Sequence, residues 1–275
     1  MEYGREQENG FSGRKHMHLT KMQGLGNDYL FFYGTPADPS ALAVRLSDRH
    51  FGIGSDGLIL IEPSVIADFR MRIFNADGSE AMMCGNGIRC VGKYVYEKGC
   101  TDQTALMIET RAGIRSLQLE VSSGTVRSVA VDMGRAEVSA KETLTENIVF
   151  IPVSVGNPHA VIFVKDAENA PLTTVGPQLE KHVRFPDGVN MEFVQLIDRE
   201  TLRMRVWERG SGVTMACGTG ACAAAAAAVH EGFCKEDEEI SVRMDGGTLK
   251  VKVLPDRTVI MRGPAETVCE CEVAL

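Results

Sequence analysis

Two stretches of this 275-residue chain align without a gap, and that repeat limits the folds open to it. RIFNADGSEAMMCGNG runs from Arg72 to Gly87, and RVWERGSGVTMACGTG runs from Arg205 to Gly220. Arg, Met, Cys, Gly and Gly coincide; Ile73 stands opposite Val206 and Phe74 opposite Trp207. The spacing from Arg72 to Cys84 is 12 residues, as it is from Arg205 to Cys217. Cys84 to Gly99 and Cys217 to Gly232 are each 15. Upstream, Gly26-Asn27 and Gly156-Asn157 recur, with the asparagines 57 and 60 residues before their cysteines. Equal offsets at several landmarks argue for a duplicated half of about 120–130 residues rather than coincidence.

Each copy has a local reading. Residues 69–74 and 202–207 alternate polar and apolar side chains, which predicts strands. A glycine-containing loop, Cys-Gly-x-Gly and a helix follow. In the first helix Ile88, Val91 and Val95 recur at helical spacing, and Gly99 is the expected stop. The second helix starts Ala-Cys-Ala-Ala at Ala221 and is small and apolar on every side up to Val229, so it should be buried. Segments 58–62, 148–155, 161–164, 192–196, 240–244 and 249–254 also read as strands. The expectation is an α+β fold of two pseudo-symmetric lobes. Each lobe is a curved mixed β-sheet wrapped around a central α-helix, with the junction near 132–140. Residues 1–16, polar and with three glycines, read as a disordered extension lacking the apolar core of a secretory signal.

Composition removes several classes of function. The net charge is −8, with 29 basic against 37 acidic residues, so general nucleic-acid binding is not expected. No apolar run approaches the roughly 20 residues of a membrane helix. Eight cysteines include no Cys-x-x-Cys, and the six histidines show no ligand spacing, so no metal site and no redox motif is expected. Cys269 and Cys271 form a Cys-x-Cys with no histidine nearby. Free thiols suit a reducing cytoplasm.

A cysteine that opens a helix has particular chemistry. Free N–H groups and the positive dipole end lie there, which favours thiolate and can hold a carboxylate. A single Cys with a His would suggest acyl transfer. Two equivalent cysteines facing each other across a lobe interface suggest inversion of a stereocentre instead. One thiolate removes a proton from carbon, and the other group, as thiol, returns one to the opposite face. The α-carbon of an amino acid fits, since charge building on its carboxylate would be met by the helix N-termini. The remaining cysteines read as small buried hydrophobes, and a bond between Cys84 and Cys217 would be an oxidised, inactive state.

Landmarks in a fixed order complete the pattern: KMQGLGND at 21–28, DRHFGIGSDG at 48–57, NADGSE at 75–80, CGNG at 84–87, GNPH at 156–159, GVN at 188–190 and ERGSGVTMACGTG at 208–220. Over residues 17–275 the chain resembles the diaminopimelate epimerase family. The resemblance implies a cofactor-independent, cytoplasmic isomerase of lysine and peptidoglycan precursor synthesis, interconverting LL- and meso-diaminopimelate, acting as a homodimer with a small-molecule substrate. It implies that Cys84 and Cys217 are the acid–base pair. Gly85, Asn86, Gly218 and Thr219 would supply amides to the reacting carboxylate. Asn27, Asn75, Asn157, Asn190 and Arg209 would bind the other polar groups, with Arg209 at the distal carboxylate. His159 and Glu208 would hold the reacting ammonium and tune the thiols. Some relatives carry a substrate-contacting Gln where this chain has Gly57. The resemblance also returns the last strand to the first lobe, giving lobes of 17–133 plus 265–275 and 134–264.

Individual residues have plainer readings. An isolated Asn beside glycine is often a turn residue. Arg72 and Arg205 read as structural, His50 and His182 as surface residues, and Asp56 and Asp77 as loop braces. Two competing functions are a proline or hydroxyproline racemase on the same scaffold, and a non-catalytic amino-acid binder or thiol redox sensor. The first would favour Cys-Gly-His-Gly at the first site and needs no distal carboxylate clamp. The second would bind ligand without hydrogen exchange at the α-carbon.

Overall fold

A computed structural model of the protein describes residues 16–145 and 148–274. The expected extension lies outside these residues, except that His16 already belongs to the first strand.

The elements in chain order are β1 (His16–Gly24), β2 (Asn27–Tyr33), α1 (Pro39–Ser47), β3 (Gly57–Glu62), β4 (Phe69–Asn75), β5 (Glu80–Ala81), α2 (Gly85–Glu97), β6 (Ala105–Thr110), β7 (Gly113–Ser122) and β8 (Thr125–Arg135). Then come β9 (Glu137–Val138), β10 (Glu142–Thr145), β11 (Ile148–Ser154), β12 (Pro158–Phe163), α3 (Leu172–Glu180), β13 (Asn190–Asp198), β14 (Thr201–Glu208), β15 (Gly212–Thr214), α4 (Gly218–His230), β16 (Glu239–Met244), β17 (Gly247–Val253), β18 (Thr258–Gly263) and β19 (Glu266–Ala274). The chain forms two compact units. One runs through Val129 and resumes at Pro264; the other is Ala130–Gly263. The division falls inside β8.

The first unit opens with a hairpin, β1 antiparallel to β2, and β19 pairs antiparallel with the other side of β1. Leu25 and Gly26 both have positive φ, 57° and 85°, the geometry of a two-residue turn that matches strand twist. Leu25 pays for that conformation in strain, and the turn delivers Asn27 at the head of β2. The crossover through α1 makes β2 parallel to β3, β3 is antiparallel to β4, and the crossover through α2 makes β4 parallel to β6. Ile88, Val91 and Val95 of α2 are fully buried, and the helix packs on β1, β2 and β7. Gly92 lets it approach: a Cβ there would meet Leu119 and Leu117 side chains at 2.9 and 3.0 Å. Gly99, at φ 70°, ends the helix as expected.

The second unit repeats this order. β11 and β12 are antiparallel, and α3 leads β12 into parallel β13. β13 is antiparallel to β14, and α4 leads β14 into parallel β16. Ala221 and the alanines from Ala223 to Ala228 are 0–3% exposed, and α4 packs against β9, β11 to β14 and β16 to β18. A helix surrounded by strands has no polar face to offer and needs small side chains everywhere, which is what this segment supplies. Gly232, at φ 74°, ends it.

The fold is therefore α+β with mixed sheet and a long central helix in each unit. Two shorter helices add to what the sequence predicts. Asp38 caps α1 by accepting from Ala41 N–H at 3.0 Å, with Pro39 at the first helical position. Its Ala43 and Leu46 cover Leu30, Leu58, Leu60 and Phe74. α3 covers Phe150, Met191 and Phe193, and its Gly176 lies so close to Trp207 that a Cβ would sit 2.5 Å from the ring. Among the described residues no helix is long and apolar enough to cross a membrane.

Candidate active site

Both cysteines cap their helices in the same way. Cys84 is extended (φ −137°, ψ 118°) and its Sγ accepts from Gly87 N–H at 3.3 Å. Cys217 is extended (φ −118°, ψ 114°) and its Sγ accepts from Gly220 N–H, also at 3.3 Å. Each thus replaces the usual serine or aspartate cap with sulfur. The first intrahelical bonds, Ile88 to Cys84 and Ala221 to Cys217, are both 2.9 Å. The N–H groups of Gly85 and Asn86, and of Gly218 and Thr219, belong to the first turns, where no intrahelical acceptor exists. The last glycine of each motif makes room for neighbours. A Cβ on Gly87 would lie 2.5 Å from Ile59, and on Gly220 it would lie 2.8 Å from Glu192 Oε1.

Around Cys84 the first unit assembles a polar cluster. Asn27 Oδ1 accepts from Cys84 Sγ and from Asn86 Nδ2, both at 3.4 Å. Asn27 Nδ2 donates to Asp56 Oδ2 at 2.7 Å, which fixes the amide's orientation. Arg49 bridges Asp28 and Asp56 at 2.9 and 3.0 Å, and Lys21 reaches Asp28 at 2.9 Å. Burial pushes the Asp28 carboxyl up, but the bonds and charges of Lys21 and Arg49 outweigh it and hold it below its ordinary range. The buried Tyr29 hydroxyl lies against Cys84 and Asn27; burial first, then the Cys84 charge, keeps it protonated far above the usual tyrosine range. Asn75 Nδ2 donates to Ser79 Oγ at 3.0 Å, and Ser79 is braced by Asp77. Gly57 pairs with Asn75 in the sheet, and a Cβ there would lie 2.2 Å from Phe74 O. The β3–β4 register therefore leaves no space for a side chain at position 57.

Around Cys217 the partners differ. Thr219 Oγ1 is 3.5 Å from the sulfur, and Asn157 Nδ2 donates to Thr219 Oγ1 at 3.3 Å. Asn157 Oδ1 faces His159 Nε2 at 3.0 Å, and His159 Nδ1 faces Glu192 Oε1 at 2.7 Å. Glu208 bonds to Thr214 Oγ1 and contacts Cys217; burial raises its carboxyl above the ordinary value. Asn190 Oδ1 accepts from Arg209 N–H at 2.9 Å, while the exposed Arg209 guanidinium donates to Asp187 O at 2.7 Å.

Helix position alone predicts lowered thiols at both sites. At Cys217 that expectation does not hold. The residue is 4% exposed, and burial, then the charges of Glu208 and Glu192, drive its pKa well above the ordinary thiol value. Desolvation and two nearby carboxylates exceed what a helix terminus provides. Cys84 is half-buried. The expected contact of His159 with an ammonium group also meets a different arrangement, since Glu192 and Asn157 occupy both ring nitrogens.

The structure thus gathers Asn27, Cys84, Gly85 and Asn86 in one cluster. It gathers Asn157, His159, Glu208, Cys217, Gly218 and Thr219 in a second, with Asn190 beside Arg209 bracing the end of β14. Asn75 stands at the end of β4. Tyr29 and Glu192 do not stand among the residues expected from the sequence, and no motif marks them. Tyr29 follows Asn27 and Asp28 directly, so its neighbourhood is the one available signal. Arg72 pairs with Glu80 at 2.8 Å and Arg205 with Asp245 at 3.2 Å, both structural roles.

Three comparisons place this geometry among known proteins. The fold is also that of a hydroxyproline epimerase from Agrobacterium vitis, which superposes with a TM-score of 0.71 at 20% identity, covering 94% of this chain and 93% of that one. A diaminopimelate epimerase from Bacillus licheniformis is 49% identical, covering 92% of this chain and 97% of that protein. One from Acetivibrio thermocellus is also 49% identical, covering 94% and 99%. The sequence profile for diaminopimelate epimerase matches residues 19–139 and 151–268, and the chain belongs to the diaminopimelate epimerase family.

Proposed function

We propose that the protein is an isomerase interconverting LL- and meso-diaminopimelate without a cofactor, using Cys84 and Cys217 as its two proton-transfer groups. The thiolate of one removes the α-proton, and the S–H of the other delivers a proton to the opposite face of the same carbon. The reverse direction exchanges the two roles. The observation that carries this reading is the duplicated cap: two cysteines, each opening a central helix with sulfur on the N–H three residues later. A group that must serve as acid in one direction and base in the other calls for two near-equivalent sites, and the repeat supplies them.

The remaining residues take roles consistent with their chemistry. The first-turn amides of α2 and α4 suit the reacting carboxylate and the charge that grows on it. Arg209 offers a guanidinium fork to the distal carboxylate, with Asn190 fixing its backbone. Asn27, Asn75 and Asn157 supply amide donors and acceptors, and Glu208 offers a charge for the ammonium. The raised Cys217 makes this group the thiol, and so the acid, in the substrate-free protein. The two groups titrate as a coupled pair, so the rate profile with pH should be bell-shaped with macroscopic limits. We place the enzyme in the cytoplasm, in lysine and peptidoglycan precursor synthesis, and take the working unit to be a homodimer, checked by sedimentation.

The test is turnover of LL-diaminopimelate in heavy water under reducing conditions. Deuterium at a single stereocentre together with meso product is expected. Turnover of proline or hydroxyproline in its place would transfer the assignment to a related racemase, and binding with no exchange would exclude both.

A further inference from the structure

We propose that Glu192 is a positioning residue for the reaction: through His159 it fixes the donor–acceptor direction of a hydrogen-bond chain that ends on Cys217. This deepens the epimerase reading and rests on it. Glu192 sits in β13, paired with Val161 of β12 on one side and Val206 of β14 on the other. Its side chain is completely buried, as is that of His159, and the two meet at 2.7 Å. Among the described residues its Oε2 has no hydrogen-bond partner. A carboxylate so placed needs compensation by a positive charge. Two sources are at hand: the His159 ring, and the N-terminal turn of α4, where the absent side chain of Gly220 admits Glu192 Oε1.

The direction of the chain follows. A carboxylate only accepts, so His159 Nδ1 donates to Glu192. The other ring nitrogen faces Asn157 Oδ1 at 3.0 Å, again an acceptor, so Nε2 donates as well. The ring then carries both protons and forms an ion pair with the Glu192 carboxylate. With its oxygen taken by His159, Asn157 turns its Nδ2 to Thr219 Oγ1. That oxygen accepts from Asn157, and its own proton is left to point at Cys217 Sγ, 3.5 Å away. Every donor from His159 outward thus leads to the sulfur, ready to hold negative charge when Cys217 gives up its proton.

The equivalent amide in the first unit runs the other way. Asn27 donates to the carboxylate of Asp56 and presents its oxygen to Cys84 and Asn86. The duplicated Gly-Asn therefore serves two unlike sulfur environments. The orienting group decides which: a carboxylate directly on the amide at Asn27, and a carboxylate acting through a histidine at Asn157.

Two measurements test this. Nitrogen–proton NMR on the protein carrying isotopically labelled histidine should show both His159 ring nitrogens protonated at neutral pH. In E192Q, which keeps the shape and removes the charge, one ring nitrogen should lose its proton. kcat should then fall by about tenfold or more, part of the roughly 10²–10⁴-fold a positioned proton-transfer group contributes. E192D, which keeps the charge, should recover a share of kcat and the doubly protonated ring. A wild-type ring with one bare nitrogen overturns the proposal, as does E192Q with unchanged kcat. The wild-type spectrum decides even where E192Q does not fold. It needs no turnover, so a failure of the epimerase reading would appear separately, in the heavy-water assay.

Discussion

Replacing Gly220 with alanine should harm this protein even though alanine is the better helix former. In an ordinary helix interior the change would stabilise by about 1 kcal/mol. Here the new Cβ would stand 2.8 Å from Glu192 Oε1, 3.2 Å from Glu192 Cγ and 3.2 Å from Cys217 Cβ. None of these can retreat into solvent, because Glu192 is 0% and Cys217 4% exposed. Overpacking of this kind costs about 1–3 kcal/mol. Displacing Glu192 also breaks its bond to His159, and a hydrogen bond to a charged group is worth roughly 1.5–3 kcal/mol. G220A should therefore lose about 2 kcal/mol or more in urea unfolding followed by circular dichroism, and its kcat should fall as the chain to Cys217 is disturbed. G87A makes the matching change in α2 but presses on the ends of Ile59 and Met71, which are flexible side chains, so its loss should be smaller. A G220A protein as stable as the wild type, with unchanged kcat, would refute the claim that Glu192 is wedged against the start of α4.

Other perturbations have equally definite outcomes. Y29F removes the hydroxyl beside Cys84 and keeps the ring, so kcat should drop by roughly tenfold with the unfolding midpoint little changed; an unaltered kcat would separate Tyr29 from the chemistry. Iodoacetamide at neutral pH should label Cys84 well before Cys217, since Cys84 is half-buried while Cys217 is buried and held as thiol; peptide mass spectrometry reads the order, and equal rates would contradict it. Asp28 has a folded-state pKa below its ordinary 3.8, so the unfolded chain takes up that proton first as acid is added. Its contribution is complete above 3.8 and is lost as pH falls through the folded value. D28N should thus be less stable than the wild type at neutral pH and show a shallower acid limb in pH-dependent unfolding.

Much of this arrangement is legible in the sequence because it is written twice. The equal offsets around Cys84 and Cys217 correspond to two 13-residue helices with sulfur caps and left-handed glycines at their ends. The all-small run from Ala221 reads directly as a helix with strands on every side. The short helices are harder to see. Leu172–Glu180 holds Pro177 and starts from Pro171 with no side-chain cap, so local propensity argues against it and packing on Trp207 decides. Glu192 is hidden for a related reason. A lone charge in an apolar strand ordinarily marks a solvent-facing position, and only pairing on both edges of β13, with α4 beneath, turns it inward. The shift of Cys217 is likewise invisible, because its main cause is burial and the carboxylates that add to it come from β13 and β14, while the motif itself advertises only the helix N-terminus. Gly57 teaches the same lesson: its necessity comes from Phe74 O across the strand pair.

The most direct test of the two-cysteine account is to compare wild type, C84A and C217A on LL-diaminopimelate in heavy water, following solvent deuterium and configuration at the reacting carbon together. The wild type should give deuterated meso product, and each variant should fail to epimerise while still binding substrate. Undiminished epimerisation by either variant would contradict the account, since one sulfur would then be serving both faces of the carbon.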